Sequence, residues 1–417
     1  MWNRIKCFWG ELGPGLIAGA SDNDPAGIST YVVGGATTGY RYLWLSLISL
    51  PVMIAVQDMS ARIGTARMTG LGRAIMDTFG RRWLSVALFA LVIVNVTTLG
   101  ADIAGVAAGF DLLTGVGIHW FVVPVALFVV AVQMFWSYRV LARYLRYLTL
   151  ALVAYILAGL VSGPDWLQVL KGTLIPTLAW NRQGLEVMVG VIGTTLSPYM
   201  FFWQASEEVE ELHARQEHRT RGGTGSMERE RLFDTAVGMS YAMIIFYFIV
   251  LTSAATLHKE HITSVRTAAD AARALRPIAG DNAFLLFSVG IIGSGLISIP
   301  VLAGSTAHPI AEWIGAPAGL DQSLRRAKCF YGVLTASVLV GMAIALLPIN
   351  PIDALFYSQV LMGLLTPVLL ILMTLIARNK SVMGEEYANG LFSNIFGWIA
   401  IGLLVFADVA MLWMLMR

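Results

Sequence analysis

Residues 22–27 read Asp-Asn-Asp-Pro-Ala-Gly. Two carboxylates and a carboxamide in succession are hard oxygen donors, the kind that hold divalent cations. Pro25 removes a backbone donor and disfavours α geometry at Asp24, and Gly27 adds backbone freedom. A helix carrying this stretch should break here and free carbonyls beside the acids. A second stretch, Thr194-Thr195-Leu196-Ser197-Pro198, sets hydroxyls beside another proline. Successive helical residues turn by about 100°, so Asp22 and Asp24 point in roughly opposite directions unless the backbone unwinds at Pro25. Asp24 is the leading ligand. Asp22 and Asn23 are divided between supporting the ligands and holding the structure.

Both stretches must be positioned by apolar elements. The 417 residues are 57% hydrophobic and 13% charged, with a mean hydropathy of +0.70. That is the composition of a polytopic membrane protein. Eleven segments are long and apolar enough to span a bilayer: about 13–38, 43–64, 83–112, 118–137, 144–163, 185–206, 235–257, 283–313, 329–348, 353–377 and 391–416. The start reads as a mature N-terminus without a signal peptide. The charged stretch 207–234 reads as a solvated linker, and 258–282 has room for a short amphipathic helix. Cys7 and Cys329 lie far apart beside basic residues, which argues against a disulfide or a cysteine metal site.

An acid at mid-span costs about 2.5–3.5 kcal/mol, and unpaired backbone is tolerated in a membrane only inside protein or along a cavity. Asp22 and Asp24 fall near the middle of the first span. A proline kink with its acids paired to other helices is the structural alternative. The two interruptions fall in the first and sixth spans, at matching positions of two five-span blocks. That is the mark of an inverted-repeat transporter with its site at the bilayer midplane. Twenty of the 28 Lys and Arg residues fall on the N-terminal side of the predicted spans. This places the N-terminus in the cytoplasm and the C-terminus outside.

The stretch "GPGLIAGASDNDPAGISTYVVGGATTGY" resembles the first span of the NRAMP divalent-metal transporters. Gly13-Pro14-Gly15, Asp24-Pro25, Gly34-Gly35 and Gly39-Tyr40 match that pattern without a gap. Residues 57–70, 100–105 and 358–360 are similar to the family's second span, third-span acidic motif and tenth-span motif, and the likeness covers nearly the whole chain. It implies an all-α membrane protein of about eleven transmembrane helices. The fold is a LeuT-type 5+5 inverted repeat with helices 1 and 6 broken at Pro25 and Pro198. Helices 1–5 then cover about 13–163, helices 6–10 about 185–377 and helix 11 about 391–416, in one transporter domain, 1–417.

The departures carry the specificity. The family's break-1 Asn falls at Gly27, its sixth-span Met at Ser197, and its two sixth-span histidines at Tyr199 and Gln204. Asp102 keeps the third-span acid, while the family's accompanying Glu falls at Gly105. The pattern resembles the NRAMP-related magnesium transporter branch. The implied donor set is Asp24, Asp22, Asn23, Thr194, Ser197 and Gln359, with Gly27 leaving room, and every donor is an oxygen. A thioether favours Mn2+ and Fe2+, whereas Mg2+ prefers oxygen and keeps its waters. The expected cargo is hydrated Mg2+, with Mn2+ also accepted and no cofactor.

With the Glu and His positions lost, Asp102 remains as a proton carrier or a structural acid. Transport uncoupled from protons is expected, driven by the ion gradient and a membrane potential worth about 4.6 kcal/mol per 100 mV for a divalent ion. The alternatives are a proton-coupled Mn2+/Fe2+ transporter and a non-transporting sensor on the same fold. A channel is disfavoured by the single concentrated polar cluster, and an organic-anion carrier by the acids at the break. No enzyme or nucleic-acid motif is present. The expected partners are the metal ion and the lipid of a plasma membrane, and the expected state is a monomer.

Among weaker signals, His308 reads as a packing or interface residue, and Asn95 and Gln133 as helix-to-helix hydrogen bonders. Gly293-Ser294-Gly295 reads as a close-packing site. Trp44, Trp120, Trp136 and Trp180 read as interface anchors. Glu312 and Asp58 fall where a span meets the interface, and Asp408 lies within the last span.

Overall fold

The computed structural model describes residues 14–135, 152–217, 224–320 and 322–416. Among them every regular element is helical. The first span is two half-helices, α1 (Pro14–Asp22) and α2 (Pro25–Thr38). There follow α3 (Trp44–Arg67), a short α4 (Leu71–Phe79), α5 (Arg81–Thr114), α6 (His119–Phe135) and α7 (Val153–Val161). The second half begins after α8 (Trp166–Leu174). Its broken span is α9 (Arg182–Thr195) and α10 (Pro198–Glu217). Then come α11 (Thr224–Ser253), the short α12 (Ala268–Ala272), α13 (Ala283–Ile314), α14 (Lys328–Ala345) and α15 (Pro351–Arg378). A short α16 (Lys380–Tyr387) leads into the last span, α17 (Leu391–Leu415).

Eight helical stretches are long and apolar enough to cross a membrane, one of them α9 and α10 taken together across the second break, and α6 is a shorter apolar helix. With the divided first span and α7 they match the expected eleven segments, although the first part of the predicted 144–163 span, residues 144–151, lies outside the described residues. The expected anchors Trp120 and Trp180 are exposed, but Trp44 is not an interface anchor. It is buried, and its Nε1 donates to the Thr177 carbonyl at 3.1 Å. Trp136 and Gly13 lie outside the described residues.

The charged stretch after span 6 is not simply a linker. It continues α10 to Glu217 and, from Thr224, begins α11; residues 218–223 lie outside the described part. Its Glu, Ala, Gln and Arg residues are strong helix formers, so high charge here marks a helix emerging from the bilayer. The element α8 was not expected. It is nine residues long, too short to register as a span, and Asp165 caps it by accepting from the N–H groups of Leu167 and Gln168. In the 258–282 connection Thr267 and Asp270 form a reciprocal capping box that starts α12.

The broken spans occupy the centre. Every residue of the apolar window through the second break is buried, whereas the windows of α14 and α17 are 33% and 39% buried. The exposed side chains of α17, such as Phe392, Trp398, Val409 and Trp413, are apolar and suit contact with lipid. The half-helix α1 packs on α10 and α11, and α2 packs on α9, α11 and α15. Glycines set the closeness of the contacts with α11. A Cβ on Gly19 would collide with the backbone of Gly238, and one on Gly35 would lie 2.5 Å from the Val250 carbonyl oxygen.

Polar side chains tie the bundle together. Asn95 Nδ2 donates to Ser305 Oγ at 3.0 Å and to Thr306 Oγ1 at 2.9 Å, and Gln133 Nε2 donates to the Pro300 carbonyl at 3.1 Å. Asp58 pairs with Arg62 at 2.9 Å and with Arg231 at 3.4 Å.

Candidate metal centre

Each break falls at its proline. The helix α1 ends at Asp22, Asn23 is non-helical, and Asp24 takes extended geometry (φ −69°, ψ 167°) as the N-cap of α2, with Pro25 in its first turn. Proline suits that position because the N–H it lacks would have had no helical partner. In the other half α9 ends at Thr195, Leu196 leaves helical geometry (φ −115°, ψ 46°), and Pro198 opens α10.

Two carboxylates meet the N-terminus of α2. Asp24 Oδ1 accepts the Gly27 N–H at 2.5 Å, and Asp102 Oδ1, from α5, accepts the Ala26 N–H at 3.1 Å. Both satisfy donors that a helix start leaves unpaired and oppose the positive end of its dipole. Asp102 Oδ2 in turn accepts from Ser298 Oγ of α13 at 3.1 Å. Gly105, where the resembling family has Glu, faces the Pro25 ring: a Cβ there would sit 3.0 Å from Pro25 Cβ. Gly295 abuts the ring as well, with its own Cβ position 3.0 Å from Pro25 Cγ, so the Gly-Ser-Gly segment does serve close packing.

The second break reaches across to the first. Tyr199 Oη, on α10, donates to the Ser21 carbonyl at 3.0 Å and lies 3.5 Å from Asp24 Oδ2. A Cβ on Gly27 would be 2.9 Å from Thr194 Oγ1, 3.0 Å from the Asp22 carbonyl oxygen and 3.0 Å from Asp24 Oδ1. Oxygens from both breaks therefore converge on the bare face of Gly27. Ser197 Oγ donates to the Thr194 carbonyl at 2.5 Å, which commits its proton and leaves its lone pairs. Gln359, on α15, presses its backbone carbonyl against Gly193, one turn before the second break, and its Nε2 donates to Ser358 Oγ at 3.3 Å.

The polar inventory is unbalanced in one direction. Asp22 and Asn23 are 0% exposed, yet neither carboxylate oxygen of Asp22 and neither amide atom of Asn23 has a hydrogen-bond partner; Gln359 Oε1 is likewise unpartnered and buried. No cationic side chain pairs with Asp22, Asp24 or Asp102 among the described residues. A buried carboxylate without a partner is costly, and a cation is the partner that would offset it. The arrangement fits a divalent ion held by oxygens at mid-span. Sequence reasoning missed Ser298 and the carbonyl of Ser21, because neither residue stands out in its own segment. It did place Tyr199 at the second break, but gave it no partner.

The family model described as "Natural resistance-associated macrophage protein-like" matches residues 15–414. The divalent metal cation transporter MntH of Caldanaerobacter subterraneus subsp. tengcongensis is 25% identical over 424 residues, covering 99% of this chain and 95% of its own. The manganese transporter of Eremococcus coleocola, solved with an aromatic bis-isothiourea compound, has a similar structure. Its TM-score is 0.71 at 20% identity, over 97% of this chain and 87% of its own. A more distant likeness is to Mhp1, a nucleobase-cation-symport-1 family transporter, with a TM-score of 0.57 at 14% identity over 97% and 92% of the two chains. The likeness to these chains shows the LeuT-type, all-helical fold. The chain is a multi-pass membrane protein and belongs to the Nramp family.

Proposed function

We propose that this chain carries divalent metal ions across the plasma membrane by alternating access. Hydrated Mg2+ is the preferred cargo, Mn2+ is also accepted, and protons are not obligatorily coupled. The observation that carries it is the meeting of the two breaks at Gly27, where Thr194 Oγ1, the Asp22 carbonyl oxygen and Asp24 Oδ1 come together, next to buried Asp22 and Asn23 side chains that have no hydrogen-bond partners. Relatives named as divalent metal cation transporters support the cargo class, and support a carrier in place of an enzyme. The metal is cargo, and no resident cofactor is needed.

The preference for Mg2+ follows from the donors. Ser197 stands before Pro198, where the resembling pattern has a thioether, and Gly27 supplies space where that pattern has an amide. Hard oxygens and room for retained water suit Mg2+. Proton independence follows from Tyr199 and Gln204 at the histidine positions, and from Asp102 being engaged in capping α2. The charge bias of the connections supports a cytoplasmic N-terminus and an external C-terminus, and the working unit is a monomer.

Uptake by proteoliposomes of Mg2+, Mn2+ and Ca2+, with internal pH recorded together, tests this reading. Mg2+ uptake without acidification is expected. Mn2+ uptake that Mg2+ neither shares nor competes with at millimolar levels would overturn the cargo assignment. Acidification in step with metal entry would favour the proton-coupled alternative.

A further inference from the structure

We infer that Glu207, Glu210 and His308 form a second divalent-metal site, suited to transition-metal ions and separate from the two breaks. One oxygen from each glutamate and one ring nitrogen of His308 all lie within 4.8 Å of one another, and His308 Nε2 is 3.9 Å from Glu210 Oε1. His308 is 4% exposed and its Nε2 makes no hydrogen bond. It lines, with Glu210, a cavity of about 530 Å3.

The elements hold these groups in place. Glu207 and Glu210 are three residues apart on α10, so they share a helix face. His308 comes from α13. Its ring is set edge-on against Phe330 at 4.8 Å and Trp203 at 6.3 Å, which fixes the plane in which the nitrogen points. Glu312 faces the same cavity but has another role: its Oε2 accepts the Arg73 N–H at 2.9 Å, in the first turn of α4. Donors around one ion lie about 3–4 Å apart. Small side-chain rotations bring the three atoms from 4.8 Å or less into that range.

The chemistry differs from that of the midplane. Two carboxylates and an imidazole favour Mn2+, Co2+ or Zn2+, whereas Mg2+ gains little from nitrogen. Glu207 is nine residues beyond Pro198, about 14 Å along α10. The same cavity is lined by Met68, Gly70 and Arg73 from the basic connection after α3, so the site lies at that end of the bundle. An ion there would clasp α10, the half-helix beyond the second break, to the unbroken α13.

The test uses the full-length protein in detergent with Co2+ as the probe. Stoichiometry is read by titration calorimetry, and ligand type from the visible Co2+ bands. Wild type should bind Co2+ with a nitrogen-ligated spectrum that a hundredfold excess of Mg2+ does not displace. His308→Gln and Glu210→Gln should each weaken that equivalent at least tenfold. Asp24→Asn should leave it intact whatever becomes of the midplane site, so the two assignments fail separately. If His308→Gln does not fold, Glu210→Gln carries the comparison. Unchanged Co2+ affinity and spectrum in the folded variants, or displacement by Mg2+, would overturn the inference.

Discussion

The Tyr199 hydroxyl donates to the Ser21 carbonyl at 3.0 Å, joining the first turn of α10 to the last turn of α1. The two breaks are therefore braced by a direct bond between residues 178 positions apart. Removing it with Tyr199→Phe leaves a buried carbonyl unpaired, at a cost of about 1–3 kcal/mol. Thermal unfolding should show that loss. Metal uptake should fall severalfold while Asp24 remains able to bind.

Asp24 has two duties that one substitution separates. Asn caps helices as well as Asp does, so Asp24→Asn keeps the bond to the Gly27 N–H and removes the charge. Stability should change by less than about 1 kcal/mol. Metal binding by calorimetry and uptake into liposomes should both be lost. A sensor without transport would show the loss of binding but would have no uptake in the wild type to lose.

Asp102 distinguishes a structural acid from a proton carrier. Asp102→Asn keeps an oxygen for the Ala26 N–H, whereas Asp102→Ala orphans that donor at a cost of about 1–3 kcal/mol. The capping role predicts near-normal uptake for the Asn variant, with an unaltered profile between about pH 6 and 8, and a destabilised Ala variant. A flattened pH profile in the Asn variant would instead assign Asp102 to proton transfer.

Gly27 and Thr194 should behave as a coupled pair. A Cβ at position 27 meets Thr194 Oγ1 at 2.9 Å, so Gly27→Asn should cut uptake of every ion about tenfold or more. Adding Thr194→Ala should recover part of it, and a double-mutant cycle would measure a coupling of about 0.5–3 kcal/mol.

Ser197→Met introduces a thioether beside Pro198. It should move the competition between Mg2+ and Mn2+ toward Mn2+. Uptake of labelled Mn2+ against rising Mg2+ reads that shift directly.

Hydropathy made the spans legible, and the two prolines marked the breaks, because both signals lie within a few consecutive residues. The place of Asp24 beside the first break was legible for the same reason. The engagement of Asp102 was not, since its partners Ala26 and Ser298 are 76 and 196 residues away. Trp44 illustrates the same limit: its position at a span end suggests an interface, but its indole is held by Thr177 within the fold. The charged stretch beyond Ser206 was read by its polarity, and polarity alone does not separate a solvated linker from a helix rising out of the bilayer. His308 was read as packing, and its ring does pack edge-on against Trp203 and Phe330.

Gly19 rests on Gly238 and Gly35 on Val250, twelve residues further along α11, about 18 Å apart. Both halves of the first broken helix thus bear on one continuous rod, at points where backbone meets backbone. Interlocked side chains would have to lift out of their grooves before a half-helix could tilt, whereas a bare glycine contact acts as a pivot pin. Each half can rock about its own pin while the rod stays fixed, so the lever arms end at Asp22 and Asp24, where the two half-helices meet.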